Sequence, residues 1–184
     1  MDIPSLPQVV QLMVKSINRS LIFLGDLARY RELHSKSSNK DWSTAERFYH
    51  QALAVLPTSG NPHNQLAVLA TYTGAECVAA YRYCRSLMVQ MPFPTAKDNL
   101  SLLFDKNRQR NREANDKGVM AALAAPARGK GKGAGGRGNS GTLLKSFLRR
   151  FVRLHGILYY LVDAITALDE QSASPCPANL TGPG

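Results

Sequence analysis

Residues 45–92 read AERFYHQALAVLPTSGNPHNQLAVLATYTGAECVAAYRYCRSLMVQMP, and the stretch repeats itself. Ala45 recurs as Ala79, Tyr49 as Tyr83 and Ala52 as Ser86, each pair 34 positions apart. Pro57 recurs as Pro92, one residue out of step. Small residues on one face of a helix let a partner helix approach closely, and an aromatic between them fills the groove so formed. Proline then stops the helix, because it lacks the amide that would continue it. A single match of this kind carries little weight; two in register define a repeat.

The period and the small–aromatic–small–Pro order predict tetratricopeptide-type helix pairs, hence an all-α array of helical hairpins. Leu66, Ala67 and Ala70 fall where the first helix of the second pair packs. Leu24, Gly25 and Ala28 take those places in the first pair, with about eight extra residues (32–39) in its turn. Apolar spacing predicts helices over residues 7–32, 42–56, 63–72, 75–91, 95 to about 115, and 142–170. Asp41 is the expected N-cap of the second helix. Pro57 to Pro62, Thr73-Gly74 and Pro92-Phe93-Pro94 are the expected turns. Residues 1–6 read as a loose lead-in, 7–117 as the repeat domain, 118–141 as a disordered insertion, 142–170 as a continuing helix and 171–184 as a disordered tail.

Hydrophobic residues make up 44% of the 184, which suffices for a core. The net charge of +10 is concentrated. Residues 106–153 hold 13 Lys/Arg against two acids, Glu113 and Asp116, whereas the rest of the chain holds 10 against 11. Any nucleic-acid reading therefore belongs to that region alone. Its most basic part alternates glycine with Arg128, Lys130, Lys132 and Arg137, and has no aromatic to stack on bases. Three cysteines do not make a disulfide framework, and Cys77 and Cys84 stand two helical turns apart. A reducing, intracellular setting is expected. Residues 9–24 are apolar, but Lys15, Asn18 and Arg19 interrupt them, so they read as a core helix and no membrane partner is expected.

No arrangement of residues suggests catalysis, a metal site or a cofactor. The four histidines stand far apart in sequence, and the glycine run has no P-loop spacing. Gly25-Asp26-Leu27-Ala28-Arg29-Tyr30-Arg31 is the better candidate for chemistry. Arg29 offers a forked guanidinium suited to phosphate, Tyr30 adds a hydroxyl, and Asp26, one turn back, is placed to hold the guanidinium. The same spacing also fits a helix-end arginine that pairs with Asp26 and faces water.

Gly-Asp-x-x-Arg-Tyr ahead of such a helix pair resembles the phosphate-reading helix of 14-3-3 proteins. The likeness extends further to the SMG/ever-shorter-telomeres family, whose N-terminal region is a 14-3-3-like tetratricopeptide domain. It is carried by residues 24–31, 45–49, Leu56-Pro57, Gly60 and 62–67. Residues 83–87, 92–94, Ala96, Asn99-Leu100 and 151–156 add to it. Asn107-Arg108-Gln109 after Phe104 resembles the plant-like branch. The resemblance implies Arg29 as phosphate ligand with Tyr30 beside it, Asn64 as the residue holding peptide backbone, and Arg31, Arg82 and Arg85 as widening the basic groove. It also implies that the family's earlier helices, with the lysine that completes the pocket, and its C-terminal region are absent from this chain. One remaining charge-assisted contact contributes about 1.5–3 kcal/mol.

Two functions follow from these readings. The resemblance implies a non-enzymatic phosphoprotein-binding adaptor of nonsense-mediated mRNA decay, reading phosphoserine on the surveillance RNA helicase. A related SMG-type adaptor is a further partner, and the cytoplasm, with the nucleus second, is the implied compartment. The alternative is an accessory protein binding RNA, telomeric DNA or telomerase through the basic glycine-lysine loop.

Overall fold

The computed structural model describes residues 5–124 and 140–172. Within them the chain forms six helices and no strand: α1 (Leu6–Leu33), α2 (Ser43–Val55), α3 (Asn61–Tyr72), α4 (Glu76–Met88), α5 (Thr95–Ala124) and α6 (Ser140–Ser172). They pack as successive hairpins, α1 on α2, α3 on α4 and α5 on α6. Contacts of α2 with α3, and of α4 with both α5 and α6, join the hairpins. This is the all-helical array that the repeat predicts.

The repeated positions behave as their chemistry requires. Ala45, Tyr49 and Ala52 of α2 and Ala79, Tyr83 and Ser86 of α4 are all buried. One core cluster joins Ile22, Ala45, Tyr49, Ala52, Leu66 and Leu69. The other gathers Ala67, Ala70, Ala79, Tyr83, Leu100, Phe104 and Val152 around α3, α4, α5 and α6. Of the three residues expected to pack in the first pair, Gly25 is buried and Ala28 lies against the core, but Leu24 is exposed and Ile22 faces the core instead. Asn18 adds a polar tie that periodicity does not show, its Nδ2 donating to the Ala52 carbonyl at 2.8 Å.

Several helix ends differ from those expected, each for a local reason. Asp41 does accept a first-turn bond, from the Ser43 amide at 3.0 Å, but the cap position itself falls on Trp42. The third helix starts at Asn61, with Pro62 in its first turn, where the missing amide costs nothing. The fourth stops at Met88 because residues 89–91 turn extended to meet residues 58–60. There the Met91 amide donates to the Thr58 carbonyl at 3.0 Å and the Gly60 amide to the Met91 carbonyl at 2.9 Å. Ser86 Oγ donates to the Gly60 carbonyl at 2.7 Å, closing a clasp between the ends of two hairpins.

Helix α5 runs on through Ala124, beyond the expected end near residue 115, and α6 begins at Ser140. The cations Arg128, Lys130, Lys132 and Arg137 and the tail from residue 173 lie outside the described residues. Helix α6 covers α5 and α4 and leaves Val10, Met13 and Ile17 of α1 exposed. Among the described residues no helix is long and apolar enough to cross a membrane.

Candidate functional site

Near its C-terminal end α1 places Asp26, Arg29 and Tyr30 within little more than one turn, and α2 completes the group with Tyr49. Arg29 does not face water; it is 7% exposed. Its Nη2 donates to Asp26 Oδ1 at 3.2 Å, and its Nε donates to the Tyr49 hydroxyl at 3.2 Å. That hydroxyl donates in turn to the same Asp26 oxygen, at 2.7 Å. The carboxylate, phenol and guanidinium thus form a closed triangle spanning two helices.

Gly25 makes the triangle possible. A Cβ there would stand 2.7 Å from Tyr49 Cδ1 and nearer still to Cε1, so the phenol ring lies directly on the α1 backbone. Tyr49 is the member that the sequence reading misses, since it reads there as packing alone. The only available signal is the hydroxyl, which a purely apolar filler would lack.

Tyr30 contributes its ring as well. Its ring lies under the guanidinium, with Arg29 Cζ 4.2 Å from the ring centroid. That face-on contact orients the fork while half of Tyr30 stays exposed. Burial by itself would favour loss of the Arg29 proton, but contacts with Tyr30, Tyr49 and Asp26 outweigh it and raise the pKa above its usual value. Burial, together with the Asp26 carboxylate, likewise raises the Tyr49 phenol, which stays protonated and able to donate. The result is a buried cation fixed on three sides, by Asp26, Tyr49 and Tyr30.

The other expected residues do not join this group. Asn64 is buried and its Oδ1 accepts from Asn99 Nδ2 at 3.0 Å, linking α3 to α5. Asn99 lines a groove of about 360 Å³ between α3 and α5, together with Val68, Tyr72, Leu102 and Lys106. Tyr72 leans on Trp42 with ring centroids 4.9 Å apart. Since Trp42 caps α2, this contact joins the start of α2 to the α3 wall of the groove. Arg31 is exposed in the last turn of α1. Arg82 and Arg85 lie on α4, and Arg82 Nη1 meets His63 Nδ1 of α3 at 3.4 Å.

His63 records the electrostatics of that corner. Burial, and then the positive charges of Arg82, Arg85 and His50, push its pKa down to about 4. The folded chain therefore resists protonating His63 while the unfolded chain takes up a proton near pH 6.5. Its contribution to stability is complete above pH 6.5 and is lost as the pH falls toward 4, by up to about 1.4 kcal/mol per unit. Urea unfolding between pH 7 and 4 is expected to show that slope, and His63→Gln to flatten it. An unchanged slope in the variant would refute the assignment.

Comparison with known proteins places the chain. The family described as the Est1 DNA/RNA binding domain matches residues 45–174. The chain is 41% identical over 186 residues to nonsense-mediated mRNA decay factor SMG7 of Arabidopsis thaliana, an alignment covering 87% of this chain and 17% of that protein. It is 54% identical over 92 residues to the SMG7-like decay factor of the same plant, covering 50% of this chain and 10% of the relative. With the telomerase-binding protein EST1A of Danio rerio it shares 40% identity over 105 residues, 57% of this chain and 7% of the other. The chain thus spans less than a fifth of the length of these curated relatives. The family match begins at Ala45, so the Asp26–Arg29–Tyr30 part of the site lies before it. Repeat, helical array and relatives agree, and the chain belongs to the SMG/EST1 family, with its likeness to plant SMG7 fitting the plant-like branch.

Proposed function

We propose that this chain is a non-enzymatic adaptor in nonsense-mediated mRNA decay and that it reads phosphoserine, on a surveillance RNA helicase, through Arg29. The observation that carries the reading is the guanidinium of Arg29, buried and fixed by Asp26, Tyr49 and Tyr30. A preordered cation loses little freedom when a phosphate arrives, which favours binding beyond the bare charge. The groove past Asn64 and Asn99 offers a path for the flanking peptide, with Lys106 at its side. Likeness to decay factors supports the pathway, and related SMG-type adaptors are proposed as further partners in the cytoplasm and, second, the nucleus.

The test is titration of the purified chain with a phosphoserine peptide from the surveillance helicase and with its unphosphorylated twin. Phosphate-dependent binding is expected, and Arg29→Glu should remove about 1.5–3 kcal/mol, roughly a 10- to 150-fold loss. Equal binding of both peptides, or a mutant that binds as the parent does, would sink the reading.

A second reading draws on the description of the family as a DNA/RNA-binding domain. Residues 106–153 concentrate the positive charge that phosphate backbones require. Single-stranded RNA added to the same titration separates the two: its binding should weaken steeply with salt and survive Arg29→Glu.

A further inference from the structure

On the side where α4 meets α6, a groove of about 520 Å³ opens that takes no part in the Arg29 site. Its walls are Cys77, Val78, Tyr81 and Cys84 of α4 and Phe151 and His155 of α6, over a floor of Phe104 and Val152. Tyr81 is 58% exposed, Val78 50% and Phe151 40%, so large apolar surfaces stand open along one line. His155 is fixed at the edge by its Nδ1–H, which donates to the Phe151 carbonyl at 2.9 Å, with the two rings 4.3 Å apart.

The groove continues past Cys77 and Val78 toward Leu148, where Lys145 and Arg149 of α6 border it. Along α4, Val78, Tyr81, Arg85 and Met88 follow at helical spacing on one face. The acid at that end, Glu76, is already taken by Arg110 and by Asn107 Nδ2 at 2.9 Å. The rim thus presents Lys145 and Arg149 with no acid ion-paired to either of them among the described residues.

An apolar trough with a cationic rim selects a partner that is apolar along one line and acidic on either side. A second copy of this chain, carrying net +10, is disfavoured by charge. The segment 125–139 is disfavoured for the same reason, since it contains four cations and no acid. We propose that the α4–α6 groove docks an acidic amphipathic helix of a partner protein, its bulky apolar residues at i, i+3 or i+4 and i+7 entering between Tyr81 and Phe151 and its carboxylates meeting Lys145 and Arg149.

The immobilised full chain would be screened against a display library of random 16-residue helical peptides, and the enriched peptide synthesised. Enriched sequences should be acidic, with aromatic or aliphatic anchors at that spacing. Binding by fluorescence anisotropy should weaken at least tenfold in each of Tyr81→Glu, Phe151→Glu and Arg149→Glu, and be unchanged in Lys36→Glu, at an exposed position outside the helices. In the wild-type chain the bound peptide should protect Cys77 and Cys84 from alkylation by N-ethylmaleimide, a readout that holds whatever the variants do to folding. Four results would each overturn the proposal. These are enrichment of basic or uncharged peptides, absence of enrichment, cysteines alkylated as fast with peptide as without, or sedimentation showing that the face is closed by self-association.

Discussion

Asp26→Leu is expected to destabilise the chain by about 3–5 kcal/mol, lowering the melting temperature by roughly 6–20 °C. The loss does not come mainly from the missing ion pair. It comes from what stays behind, a buried arginine, 7% exposed as a residue, that has lost its counter-charge. Tyr49 loses its acceptor in the same step, because its hydroxyl donates to the same Asp26 oxygen at 2.7 Å. Adding Arg29→Leu to Asp26→Leu removes the stranded charge, so the double variant should recover at least half of the loss. Thermal and urea unfolding of the two singles and the double complete the cycle. Additive costs, or a single-variant loss under about 1 kcal/mol, would show that the triangle is not coupled.

Gly60→Ala is the second large effect, at about 3 kcal/mol. The new methyl would stand 2.7 Å from the Phe93 amide nitrogen and closer to the Ser86 carbonyl oxygen, both main-chain atoms that no rotamer change can move. Either the clasp opens, stranding the bonds among Thr58, Gly60, Ser86 and Met91, or α3 and α4 shift apart. Differential scanning calorimetry would read the loss. Hydrogen exchange should show the Met91 and Gly60 amides losing protection first. A variant as stable as the parent would mean that the turn relaxes without cost.

The hairpin array is legible in the sequence because it rests on short-range repetition. Six positions at one spacing, from Ala45 to Ser86, announce buried faces, and all six are buried. The Asp26–Arg29 contact is legible for the same reason, as residues three apart share a helical face. What could not be read depends on partners distant in sequence. The early end of α4 is dictated by Thr58 and Gly60 rather than by Pro92. The second role of Tyr49 exists only because Gly25 lets its ring reach α1. Leu24 faces outward because spacing fixes a face only to within a residue or two, and Ile22 turns inward in its place.

Helix α3 gives Leu66 and Leu69 to one core cluster and Ala67 and Ala70 to the other. A helix shared in this way is a party wall, and neither room can be taken down without it. Tension applied between α1 and α6 would have to pass through that wall, so the hairpins resist peeling away singly and yield together. A binding event at Arg29 that stiffens the first hairpin therefore braces the others too.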